Sequence, residues 1–314
     1  MRLHFSACFI VATALMSAAM PARAGGPGDF VDDFERAVAH GKFTHVVDID
    51  NDSLLLQRDD RFYTGGMRYV AQYALAGAGQ STVFGWRIGQ DMYTASDINL
   101  PPARVGPPDH PYAGWLYLGA FKAVHKDDGT HHRFGLDIGC LGPCSGAEWT
   151  QTNLHRLLNQ PLPQGWSKQV KNEVGMVLYG EMAPVRWVLS PSFDLTPTLH
   201  GRFGNIHTDG GAALKLRAGQ LNRLPDQPTL HAYLNIDGRA VAYNASLQGG
   251  YFSSGNPHVV RPKRLVAEVE LGLAWNSAPY GVTVALVRRS NEIDGLSNGS
   301  GAQNFARLQF TYTP

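Results

Sequence analysis

The sequence predicts an all-β protein, an antiparallel transmembrane β-barrel of about 12 strands with one short helix in an extracellular loop. Three observations predict it. Apolar and polar residues alternate with period two along most of the chain, as strands with two unlike faces require. No stretch after residue 24 is apolar for long enough to cross a bilayer as a helix. The chain also opens like an exported protein. Arg2 and His4 precede an apolar run from Ala7 to Met20, and Ala22-Arg23-Ala24 is a small-x-small cleavage site. Cleavage after Ala24 leaves one barrel domain over 25–314, and that domain is expected in a bacterial outer membrane.

The alternation is clearest toward the C-terminus. Leu265, Ala267, Val269, Leu271, Leu273 and Trp275 share one face, against Arg264, Glu268 and Glu270. Tyr280, Val282, Val284 and Leu286 oppose Gly281, Thr283 and Ala285. In 239–248, Val241, Tyr243, Ala245 and Leu247 are read as one strand face. Ala306, Leu308, Phe310 and Tyr312 close the series. Strand-like segments fall near 44–56, 61–76, 82–93, 112–126, 130–140, 173–187, 191–205, 211–220, 229–237, 239–252, 262–276, 279–290 and 302–313. A bacterial barrel has an even number of strands, so two of these are expected to merge or one to fail. Residues 25–43 read as a periplasmic lead-in. The chain ends Tyr312-Thr313-Pro314 and not on the aromatic residue usual for such barrels.

Composition excludes some functions. A formal net charge of +1 provides no basic field for nucleic acid. Thirty-five glycines, 17% charged residues and a slightly negative mean hydropathy suit both membrane barrels and soluble all-β proteins. Cys8 leaves with the signal; Cys140 and Cys144 remain, a pair that suggests a disulfide in an exported chain.

One segment departs from the β pattern. In 145–160, Ser145 and Glu148 have the spacing of a capping box, which predicts a helix near 146–159. Leu154, Leu157 and Leu158 form an apolar stripe, and Glu148, Gln151 and His155 share another face. Near the N-terminus, Asn51, Asp52 and Thr64 place polar groups inside strands. Asn51 and Asp52 would point to opposite faces of a regular strand, so both reach one site only if a bulge or the strand end intervenes.

Several segments, in order, resemble the outer-membrane lipid A 3′-O-deacylases (LpxR-like). They are Asn51-Asp52-Ser53, Asp60 to Gly66, Gly89-Gln90 with Tyr93-Thr94, and Pro111-Tyr112-Ala113-Gly114-Trp115. Gly139 to Pro143, Gln151 with His155, Gly165-Trp166 with Gln169 and Glu173, and Gly204-Asn205 follow. The resemblance implies a calcium-dependent carboxylic ester hydrolase that removes the 3′-linked acyloxyacyl chain of lipid A, the lipid anchor of lipopolysaccharide. It implies His155 as the base that activates water, with Asn51, Asp52 and Thr64 as catalytic wall and, together with Glu173, as Ca2+ ligands. Gln151 and His110 would contact substrate. His110 stands where the family carries Arg or Lys before Pro-Tyr-Ala-Gly, and Arg68 is the substitute cation. The partners implied are lipid A and outer-membrane lipid, with neither nucleic acid nor a protein partner. The alternation alone would equally suit a non-catalytic porin or adhesin, or a soluble periplasmic β protein; a phospholipid esterase would use the same scaffold.

Overall fold

The computed structural model describes residues 27–52 and 61–314. Helix α1 (Pro27–His40) leads into β1 (Lys42–Asn51), β2 (Phe62–Gly77), β3 (Gln80–Thr94), β4 (Ala113–Lys126) and β5 (His131–Leu141). Helix α2 (Ala147–Leu157) lies in the loop before β6 (Glu173–Ala183). A short β7 (Trp187–Ser190) precedes β8 (Phe193–Gly204), β9 (His207–Gln220) and β10 (Thr229–Asn244). One-turn helix α3 (Ala245–Gln248), β11 (Leu265–Ser277), β12 (Tyr280–Arg289), one-turn helix α4 (Asn298–Gly301) and β13 (Gln303–Tyr312) complete the chain.

Each strand pairs antiparallel with its neighbours, β1 pairs with β13, and β6 pairs directly with β8. The ring therefore closes with 12 strands, and β7 stands outside it as a short hairpin arm on β8. The surplus segment of the sequence reading is explained by a merger. Segments 229–237 and 239–252 are one strand, β10, which runs through Gly238 and stops at Asn244. Asn244 then caps α3 by accepting from the Ser246 amide, so Ala245 and Leu247 are helical, and Val241 is buried inside the barrel. Within the lead-in 27–40 is helix, and β1 begins at Lys42, two residues before the expected start.

Exposure gives the orientation of the faces. In β11 and β12 the residues Leu265, Val269, Leu271, Leu273, Trp275, Tyr280, Val282, Val284 and Leu286 are exposed, while the alternate residues are shielded. Apolar side chains thus face outward, where only lipid makes their exposure favourable. Among the described residues no helix is long and apolar enough to cross a membrane; the strands do so. Tyr312, the last aromatic residue, stacks with Tyr280 (5.5 Å) and His45 (6.1 Å) in the girdle at the periplasmic end.

The interior is packed. Asp50 accepts from Arg68 Nη2 (2.7 Å), Arg307 Nε (2.9 Å) and the Tyr63 hydroxyl (3.1 Å), and Arg307 also pairs with Glu270. Arg87 makes a bidentate contact to Asp137 (2.9 and 2.6 Å). Toward the extracellular mouth, Tyr63, Tyr93, Trp115, Tyr117 and Phe305 fill the lumen. Breaking one such buried pair costs about 3–5 kcal/mol, because the partner charge is left unmatched.

Candidate active site

The residues that matter stand at the extracellular ends of β1 to β4, and strand parity assigns each to one side of the wall. In β1, Val46, Asp48 and Asp50 point inward, so Val47, Ile49 and Asn51 point outward. Asn51 pairs with Gly65 of β2, and a Cβ on Gly65 would stand 3.3 Å from Asn51 Nδ2. Asp52 follows the last residue of β1 in a bend, is buried, and accepts from the Arg61 amide (3.1 Å).

Thr64 is the extra residue of a β-bulge: Tyr63 pairs with Tyr93, and the next pair is Gly65 with Met92. Phe62, just before it, holds a left-handed backbone (φ 60°), unusual for a bulky side chain. The bulge turns Thr64 to the outer side, where its hydroxyl meets that of Thr94 (2.7 Å). Thr94, Met92 and Gln90 all have outward parity in β3. The strand end at Asn51–Asp52 and the bulge at Thr64 are the two irregularities of β1 and β2 at this rim.

The loop between β5 and β6 folds back over this outer face. Cys140, on the outer face of β5, is disulfide-bonded to Cys144 in the turn Pro143–Ser145. Gln90 Nε2 donates to the Ser145 carbonyl (2.7 Å), which fixes the turn to β3. A Cβ on Gly114 of β4 would collide with Ser145 Oγ and Ala147 Cβ; glycine there lets the helix start touch the wall. The expected capping box does not form. The chain enters α2 through Gly146 in the left-handed region (φ 68°), and Ser145 Oγ donates to Gly142 O (2.6 Å). The three-residue turn and its disulfide occupy the place that an extended cap would need.

Within α2, Ala147, Gln151 and His155 are buried at successive turns, whereas Trp149, Leu157 and Leu158 are exposed. The polar face is thus turned to the wall and the leucines to the lipid. Met92, Ala95, Val105, Tyr112, Ala147 and Trp166 form one apolar cluster between barrel and loops. Trp166 Nε1 donates to Gln151 Oε1 (2.8 Å), and Trp166 meets Tyr112 edge-on (5.2 Å). A continuous path of contacts therefore joins Asn51, Gly65, Met92, Trp166 and Gln151, one turn from His155. His155 Nδ1 lies 2.6 Å from the Pro161 carbonyl. A carbonyl only accepts, so Nδ1 carries the proton and the neutral ring holds its lone pair on Nε2.

The remaining candidates lie elsewhere. Arg68 is on the lumen side, bonded to Asp50 and 3.8 Å from Asp91. His110 is buried in the mouth, stacked on Tyr93 (5.3 Å), with Nδ1 on the Pro111 carbonyl (2.6 Å). Burial lowers its pKa to about 4, so His110 is neutral at pH 7. Glu173 Oε1 accepts from Asn205 Nδ2 (2.7 Å) and the Tyr251 amide (2.9 Å), and Oε2 from the Phe252 and Ser253 amides (2.9 and 2.8 Å). Its carboxylate ties the β10–β11 loop to the rim, and those four donors occupy the oxygens a cation would use. Among the described residues no group of three or more His, Cys, Asp or Glu gathers as a metal cluster. Asn51, Asp52 and Thr64 are hard oxygen donors with one carboxylate among them, which suits calcium in kind. Pro161 and Gln90 are positioning residues that the sequence reading did not assign; a proline soon after a helix end is the signal that marked the first.

The comparisons agree with this architecture. Residues 5–313 match the family model described as outer membrane protein LpxR. The chain belongs to the LpxR family. LpxR from Salmonella typhimurium superposes with a TM-score of 0.71 at 18% identity, over 86% of this chain and 100% of that one. The β domain of the Bordetella autotransporter BrkA follows with a TM-score of 0.47 at 10% identity, over 87% of this chain and 98% of that one. A search of the curated proteins returns no match. The protein is an outer-membrane β-barrel of the LpxR fold.

Proposed function

We propose that this chain is a lipid A 3′-O-deacylase, a calcium-dependent ester hydrolase that acts on lipopolysaccharide within the outer leaflet. The observation that carries the reading is the side of the wall on which the polar residues stand. Asn51 and Thr64 lie on the lipid side at the rim, and on the same outer side β3 and β4 carry a helix whose buried face bears His155 and whose exposed face bears Leu157 and Leu158. A porin would place its functional groups in the lumen, and here the lumen is filled with ion pairs and aromatic rings. Membership of the LpxR family supports the same substrate.

In this reading the His155 Nε2 lone pair takes the proton of a water molecule directed at the ester carbonyl, while the Pro161 carbonyl holds the ring and shares the imidazolium charge through Nδ1–H. Such a base contributes about 10²–10⁴-fold. Gln151, held by Trp166, lines the same helix face and contacts substrate. Asn51, Asp52 and Thr64 would hold Ca2+, which when bound supplies positive charge against the developing oxyanion. Glu173 has no part in that set.

The test is the lipid A mass spectrum of cells expressing the chain. A species lighter by the 3′-acyloxyacyl group is expected, absent with chelator and with His155→Ala. Unchanged lipid A, with the barrel showing heat-modifiable mobility in the outer membrane, overturns the proposal. Fatty acid release from phospholipid with lipid A intact would assign the esterase to the other substrate.

A further inference from the structure

Helix α1 has an unusual place. Phe30 and Phe34 pack edge-on against Phe84 (5.4 and 5.7 Å). Phe84 has outward parity in β3, with exposed Trp86 and Ile88, and pairs across the strands with Tyr73 and Lys122. The helix therefore lies against the outer wall of β2 to β4 near their periplasmic ends, on the side that faces lipid. Its sequence divides into three faces. Ala37 is fully buried and, with Phe30 and Phe34, forms the wall face. Val31 and Val38 form an apolar flank, 50% and 44% exposed. Asp32 and Arg36 lie on the opposite, polar flank.

The wall carries a matching feature. Lys122 occupies a lipid-facing position, where an unmatched lysine is unfavourable, most at the bilayer midplane and less toward the interface. Asp33 of α1 pairs with it (3.3 Å), and its ammonium lies 5.0 Å from the Phe84 ring centre and 5.3 Å from that of Phe30. At the same level the rest of the barrel carries its aromatic girdle, including Phe43, Tyr73, Trp275, Tyr280 and Tyr312. On β3 and β4 the helix takes the girdle's place.

We propose that α1 is an interfacial helix seated in the periplasmic leaflet, with its Val31–Val38 flank buried among phospholipid acyl chains and its Asp32–Arg36 flank in water. The apolar flank is continuous with the lipid-facing wall, so the same acyl chains cover both. A 14-residue helix is marginal alone in water; docking to Phe84 and contact with lipid supply what its own hydrogen bonds do not. The inference is independent of the chemistry at the opposite rim.

The experiment uses the full mature chain in phosphatidylethanolamine–phosphatidylglycerol vesicles, with a nitroxide attached at Val31→Cys, Val38→Cys or Asp32→Cys. Labels at 31 and 38 are expected to collide with oxygen more than with a water-soluble nickel chelate, and the label at 32 to show the reverse. Equal nickel accessibility at all three positions overturns the proposal, and also identifies a water-facing helix free to meet a periplasmic partner. Heat-modifiable mobility reports that each variant barrel is folded. A second readout uses the double variant Val31→Asp/Val38→Asp: α1 is expected to become protease-sensitive in vesicles while the barrel stays resistant. Unchanged resistance of α1 argues against the lipid contact.

Discussion

The two faces of β1 to β4 are built from alternate residues of the same strands, yet they do different work. On the lumen side, Asp50 is held by Arg68, Arg307 and the Tyr63 hydroxyl, and Arg87 by Asp137, and the interior is packed. On the outer side, one residue away, stand Asn51 and Thr64, and beside them Met92 and Gly114 make a shallow floor on which the start of α2 rests. A single step along β1 separates a residue that stabilises the barrel from one that faces the candidate site. The difference teaches that polarity inside a barrel strand is ambiguous until its parity is known. Arg68 and Asn51 are both polar and close in the wall, but only Asn51 can meet a lipid from the leaflet.

Three substitutions break or sharpen this contrast. The largest effect on stability is expected from Asp50→Ala, which removes the carboxylate shared by Arg68 and Arg307 and leaves Arg307 with Glu270 and Arg68 with the more distant Asp91. Unfolding in urea should show a loss of about 3–5 kcal/mol, while the specific activity of the folded fraction stays near wild type. Gly114→Val acts on the other face. Its side chain collides with Ser145 and Ala147 and lifts the start of α2, so activity should fall by about tenfold or more, as misplacement of a catalytic group can cost 10²-fold. The urea midpoint should move little. Trp166→Phe is the mildest: it keeps the ring packing and removes the hydrogen bond to Gln151, about 1 kcal/mol. A roughly fivefold rise in KM with kcat nearly unchanged is expected if Gln151 contacts substrate alone. Equal losses of kcat and kcat/KM would instead mean that the bond also sets His155.

Much of the architecture was legible from period-two alternation, since lipid outside and packed polar groups inside impose opposite demands on successive residues. The count of about 12 strands stands, and the one surplus segment arises where Gly238 interrupts the pattern within β10 and where Ala245 and Leu247 continue it by chance into a helical turn. Helix α2 was legible in extent and in setting Gln151 and His155 on one face away from the leucines; that this face is the buried one, and that Glu148 is exposed, was not. Its start was not, because a left-handed Gly146 and a disulfide-closed turn replace the side-chain cap that Ser145 and Glu148 advertise. Helix α1 was hidden for another reason. The spacing of Phe30, Val31, Phe34, Ala37 and Val38 is helical, but only the paired strands reveal that an outward Phe84 and Lys122 await it. Glu173 could not be judged from sequence at all, since three of its four donors arrive from residues 251–253, far along the chain.

The placement of α2 outside the wall also changes what concentration means for this protein. A ligand in water reaches a pocket by diffusion in three dimensions, at a rate set by molarity. A lipid reaches the outer face of β1 to β4 by sliding within its own leaflet, so encounter is governed by its surface mole fraction and by how tightly neighbouring lipids are cross-bridged. In the proposed reading, diluting the leaflet with inert lipid or detergent would then slow turnover with the protein and its substrate both intact, and stiffening the leaflet would silence the site without any inhibitor touching it.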